Sequence, residues 1–157
     1  MKQESYKLFR SATIQEISEV LSKELEQRNE SPFWVTKVIP FTEAILSVLI
    51  ELRDNDMLFN PEGNKVDELT PELFLKWSDF VSLKTLAFTI EKSNQEKKLL
   101  RTNLDEATCR RYKECSLDTL GEYLSSNGVD LTKENLDFPI ATYNLHQGVS
   151  SVIKSLL

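Results

Sequence analysis

The sequence predicts an all-α protein, an irregular bundle of about six to seven helices around one central hydrophobic helix. Three observations lead there. Apolar residues recur three and four positions apart in one stretch after another. The segment from Phe33 to Arg53 is apolar nearly all round, a pattern that suits a helix with neighbours on most sides. Four glycines and five prolines in 157 residues are too few for an all-β chain, which would turn about every ten residues. The length suits one domain with a single core, so residues 1–157 are read as one helical domain.

Met1 to Arg10 show no clear period and are expected to form an irregular lead-in. Thr13, with Glu16 three residues later, has the spacing of a capping box and opens the first helix. Ile14, Ile17, Leu21 and Leu25, with Val20 beside them, form its stripe, and Glu19, Lys23, Glu24 and Glu26 cover the other side. Ser31-Pro32 supplies a capping residue and a proline at the first helical position of the central helix. Trp34, Phe41, Ile45 and Leu49 are expected in the core, and Pro40, lacking an N–H, is expected to kink the helix. A polar loop follows Arg53 and runs through Asn60-Pro61-Glu62-Gly63-Asn64. Thr70-Pro71-Glu72 repeats the cap-then-proline signature for a short helix to about Trp77. Ser82 is expected to start the next, with Leu83, Leu86, Ala87 and Ile90 on one face. Asn94 to Ser126 is polar but periodic, with a break at Ser116-Leu117-Asp118 and a stop at Asn127-Gly128. A last helix begins near Ile140 and buries Leu145, Val149, Val152, Ile153 and Leu156. Its end, Ser155-Leu156-Leu157, carries no stop residue, which gives the chain the look of a fragment excised from something longer.

Composition narrows the functional classes. Hydrophobic residues at 40% and charged residues at 28% describe ordinary globular material. A net charge of -6 argues against a nucleic-acid-binding surface over the whole domain while leaving room for a local basic patch. The most apolar stretch, Phe33 to Leu52, is interrupted by Lys37, Pro40, Glu43 and Glu51, whereas a spanning helix needs about 20 nearly uncharged residues. Met1 to Arg10 has no apolar run for a signal peptide, so the expected compartment is the cytoplasm, without membrane contact. Cys109 and Cys115, on a helix, would point about 120° apart after a rise of about 9 Å. That is beyond a disulfide, and both are read as free thiols.

The residues for chemistry are missing. His146, the single histidine, has no Cys or His three or four positions on, and is read as a polar residue on a helix face rather than a zinc ligand. Gly63-Asn64-Lys65 lacks the upstream glycine and the following Ser/Thr of a phosphate-binding loop, and there is no Gly-x-Ser-x-Gly elbow. Asp54 and Asp56 follow a helix end beside Arg53 and read as a solvated turn; Asp130, Glu134 and Asp137 read as hydrated loop charges. No catalytic residue, cofactor site or metal site is expected, and the chain is not read as an enzyme. One cluster stands out: Lys97, Lys98, Arg101, Arg110, Arg111 and Lys113, in an otherwise acidic chain. It reads either as a solvated helix face neutralised by Glu96, Asp105, Glu106 and Glu114, or as a docking patch for an acidic peptide, protein or DNA backbone.

A more specific pattern is the order Ile14-x-x-Ile17-x-x-x-Leu21, a short polar linker, Pro32-Phe33-Trp34, a long apolar helix and Leu52-Arg53-Asp54. Tyr123-Leu124 with Gly128, and then Tyr143-x-x-x-Gln147, follow further on. This resembles the inserted all-α domain of the type IV coupling ATPases, the VirD- and TraG/TraD-like proteins of conjugation and type IV secretion. The matching pieces cover most of the chain, although 60–108 match only as helical sequence of the right length. The resemblance implies a membrane-anchored hexameric motor of which this domain lies on the cytoplasmic side, with the Walker motifs elsewhere. It implies recognition of effector proteins, their adaptors or chaperones, a relaxase bound to DNA, or a small acidic regulator, and contact with the rest of the ATPase. Trp34 is implied as a core anchor, and Arg53 and Asp54 as a helix-end pair. The acidic balance turns the expectation toward a protein partner rather than DNA. The alternative is a free-standing acidic helical adaptor or secretion chaperone, which would expose an apolar face.

Overall fold

The computed structural model describes residues 2–100, 114–129 and 140–157. Among them the chain is all-helical: α1 (Lys2–Ser11), α2 (Ile14–Gln27), α3 (Pro32–Asp54), α4 (Pro71–Trp77), α5 (Phe80–Leu100), α6 (Asp118–Ser126) and α7 (Ile140–Leu156). The central helix is α3, which packs against α2, α4, α6 and α7. By length and composition it could cross a membrane, but here Val38, Phe41, Ala44, Ile45, Leu46, Val48 and Leu49 are all fully enclosed.

The N-terminal segment is not an irregular lead-in but helix α1. Ser5 and Phe9 are buried on it, Leu8 is half-buried beside them, and Ala12 just past its end continues the helical spacing, with Phe9 stacked on Phe74 of α4 at 5.4 Å. Serine and alanine contribute little hydrophobic signal, so the period is faint in the sequence.

Helix α2 opens as its spacing predicts. The Thr13 hydroxyl oxygen accepts from the Glu16 N–H at 3.2 Å, and the Thr13 O–H is directed to the Glu16 carboxylate. It closes on Asn29 in the left-handed region (φ 54°), with the Glu30 N–H reaching back to the Leu25 carbonyl. Helices α3 and α6 close in the same manner on Asp56 (φ 55°) and Gly128 (φ 79°), where the N–H groups of Met57 and Val129 bond the carbonyls of Leu52 and Leu124. These are three Schellman ends, each built on a residue type that tolerates positive φ.

At the start of α3, Ser31 occupies the cap position without a side-chain bond, and Pro32 stands at the first helical position. The helix runs on through Pro40 to Asp54. The loop after it is a bridged turn: Phe59 pairs with Lys65, Gly63 takes φ 86°, and the Trp77 indole N–H donates to the Phe59 carbonyl at 3.1 Å. Thr70 caps α4 through the Leu73 N–H. The next helix starts at Phe80 rather than Ser82 because Asp79 is its cap, accepting the Ser82 N–H at 3.2 Å. Helix α5 continues past Asn94 to Leu100, and the break before α6 falls at 114–117. Asn94 holds that break in place. Its amide donates to the Cys115 carbonyl at 2.7 Å and accepts the Cys115 N–H at 3.0 Å, while the Glu51 carboxylate takes the Ser116 N–H.

Helix α7 begins at Ile140, as predicted, and buries His146, Val149, Ile153 and Leu156, while Leu145 and Val152, also expected on the stripe, are half-buried. Arg28 from α2 donates to the Ser155 carbonyl at 2.9 Å, so one of the final carbonyls is satisfied from a neighbouring helix.

Candidate functional site

The four residues singled out as structural have distinct positions. Arg53 is the most strongly tied. Its Nη1 donates to the Phe9 carbonyl and its Nη2 to the Ala12 carbonyl, both at 2.9 Å, and its Nε pairs with the Asp54 carboxylate at 2.9 Å. One guanidinium thus closes the end of α1 and fixes the α1–α2 elbow against the end of α3. Asp54 is exposed and serves to orient it. Trp34 is half-buried rather than a central core residue: its ring lies against Gly148 of α7 and meets Phe33 edge to face at 5.1 Å. A side chain this close to the start of α3 reaches the α7 interface, not the bundle centre, where Phe41, Ile45 and Leu49 sit. Pro40 is exposed on the wall of a cleft.

Of the basic cluster, Lys97 lies on α5, half-buried, with its Nζ 3.8 Å from the Met57 sulfur. Lys98 is on the same helix, and its side chain lies outside the described residues, as do Arg101, Arg110, Arg111 and Lys113. Cys109, Asp130, Glu134 and Asp137 also lie outside them. Cys115 is buried. Asp56 pairs with Lys65 at 3.3 Å on the surface, as a solvated turn would.

His146 is the correction of consequence. It is 3% exposed, not a residue on an open helix face. Its ring is held edge-on between Phe41 of α3 at 4.7 Å and Phe80 of α5 at 4.6 Å. The Nε2 faces the Ser78 carbonyl at the α4–α5 elbow; a carbonyl only accepts, so Nε2 carries the proton and Nδ1 presents a lone pair. That Nδ1 is buried without a partner among the described residues. Burial holds the imidazole pKa below its ordinary 6.5, against the opposing pull of the Ser78 carbonyl and the Asp79 carboxylate. The sequence signal was present but ambiguous: position 146 falls between Leu145 and Val149, on the stripe side of α7.

His146 also lines a cleft of about 430 Å³ between α3, α6 and α7. Thr36, Lys37, Pro40 and Glu43 form its α3 wall, Glu122, Tyr123 and Asn127 its α6 wall, and Thr142, Leu145 and Val149 its α7 wall. The Tyr123 ring packs on Phe41, and burial pushes its phenol pKa up to about 12, so it stays a neutral donor and acceptor. Two other depressions are an open groove between α2 and α3, bordered by Glu19, Lys23, Glu26 and Glu43, and a smaller one beside the α4–α5 elbow. Among the described residues no three of His, Cys, Asp or Glu gather to hold a metal ion. Compared with protein-family models, with curated proteins and with solved structures, the chain matches none.

Proposed function

We propose that this chain is a protein-recognition domain, of the kind inserted in type IV coupling ATPases, that binds an effector, its adaptor or chaperone, or a regulator on the cytoplasmic side of the motor. The observation that carries the binding role is the cleft between α3, α6 and α7. The carboxylates of Glu43 and Glu122 and the Tyr123 hydroxyl line it with no partner among the described residues. Polar groups left open in a formed cleft are what a binding surface needs.

The coupling-protein assignment rests on the motif order and on how two of its members are used. Phe33-Trp34 opens α3 with Trp34 against α7, and Arg53-Asp54 closes α3 with Arg53 bonded to the α1–α2 elbow. Both pairs join the central helix to its neighbours, a reason for a family of such bundles to keep them. DNA is the less favoured partner, since the chain carries a net charge of -6.

The test is to delete residues 1–157 from the ATPase that contains them and to follow substrate transfer and hexamer assembly separately. Loss of transfer with assembly retained is the expected result. Undiminished transfer would remove the reading.

A further inference from the structure

The cleft between α3, α6 and α7 is lined by two carboxylates, which only accept, and one ammonium, beside the hydroxyls of Thr36, Thr119, Ser126 and Thr142, which can donate or accept. The carboxylates of Glu43 and Glu122 lie unpaired along it among the described residues, facing one lysine, Lys37, whose ammonium is 5.9 Å from the centre of the Phe33 ring. Asn127 spends an amide N–H on the Tyr123 carbonyl at 2.7 Å, which leaves its side-chain oxygen to accept. Pro40 has no N–H to give the Thr36 carbonyl one turn earlier on the same wall. His146 adds a buried Nδ1 lone pair with no partner among the described residues. Pro40, Leu145 and Val149 supply apolar surface beside these groups.

We propose that this cleft takes an arginine side chain presented by a partner protein. A guanidinium offers five N–H donors and no acceptor, the complement of two carboxylates. Its planar fork matches carboxylates such as Glu43 and Glu122 better than a lysine ammonium does. The methylene stem covers the apolar wall while the head stays among the carboxylates. A volume of about 430 Å³ admits one long side chain with its flanking backbone, and is too small for a docked helix. The assignment rests on the protein-recognition reading above and sharpens it to one ligand chemistry.

The test is a nitrogen-15 NMR titration of the whole 157-residue chain with the capped tripeptide Gly-Arg-Gly, with its isosteric, uncharged citrulline counterpart, and with Gly-Lys-Gly. The arginine peptide should give saturable shifts at Thr36, Glu122, Tyr123 and Leu145. The citrulline peptide should bind at least about tenfold more weakly, and the double variant Glu43→Gln, Glu122→Gln should lose about as much. Lys37→Ala should tighten binding, because it removes the one like charge. No saturable shift at the cleft, equal binding of the citrulline or lysine peptide, or full affinity in the double variant with an otherwise unchanged spectrum would each overturn the assignment. The two readings fail separately. Arginine binding by a domain whose deletion spares transfer would keep the cleft and remove the recognition role. No arginine binding by a domain whose deletion abolishes transfer would do the reverse.

Discussion

Trp34 and Gly148 are fitted to each other across the α3–α7 interface: a Cβ at position 148 would lie 2.5 Å from the Cη2 of the Trp34 ring. Only a residue without a side chain lets the indole lie this close to the α7 backbone. Gly148→Ala should therefore destabilise the fold by about 1–3 kcal/mol, although alanine is the better helix former. Urea denaturation measures it. In a Trp34→Leu background the same change should cost much less, and equal costs in the two backgrounds would mean that the contact is not the reason for the glycine.

Arg53 and Asp54 should behave very differently. Arg53→Ala leaves the Phe9 and Ala12 carbonyls without their donors and should cost about 2–3 kcal/mol. Asp54→Ala removes an exposed partner and should cost under about 1 kcal/mol. Similar losses for both would show that the guanidinium works through its ion pair rather than by holding the elbow.

The centre of α3 offers a plainer test. Leu49 is fully buried, and Leu49→Ala should cost about 2–5 kcal/mol. A loss below about 0.5 kcal/mol would contradict the central position of α3.

Asn94 anchors the non-helical segment 114–117 by two side-chain bonds to one backbone residue, Cys115. Asn94→Ala should cost about 1–3 kcal/mol and sharply raise hydrogen exchange at the Cys115 amide. An unchanged exchange rate there would count against the clamp.

His146 sets a pH dependence whose sign follows from burial. Its folded pKa lies below the ordinary 6.5, so between those two values the unfolded chain binds more protons than the folded one. Stability from this group is complete above pH 6.5 and declines as pH falls toward the folded pKa. As the single histidine, His146 can be followed directly by NMR. Titration at or above 6.5 would refute the prediction. His146→Gln, which keeps a donor for Ser78, should flatten the slope in that window.

Much of the bundle is legible in the residues themselves. The Thr13-x-x-Glu16 and Thr70-Pro71 starts, the all-round apolar run of α3 and the Asn127-Gly128 stop are local signals, because caps, prolines and helical spacing act within a turn or two of chain. Helix α1 is faint in the sequence because Ser5 on its buried side, and Ala12 just past its end, carry almost no hydrophobic signal. Other features are decided only when distant segments meet. Arg53 and Phe9 are 44 residues apart, and His146 and Ser78 are 68 apart. No spacing rule links such positions. Whether a histidine faces water or two phenylalanines, whether a glycine is a weak helix residue or a seat for an indole, and whether two glutamates border one cleft all depend on which helices pack together. Most helix starts and stops, and the hydrophobic centre, are written in local residue patterns, because they depend on neighbours along the chain. The cleft and its chemistry exist only once α3, α6 and α7 have packed, because they depend on neighbours in space.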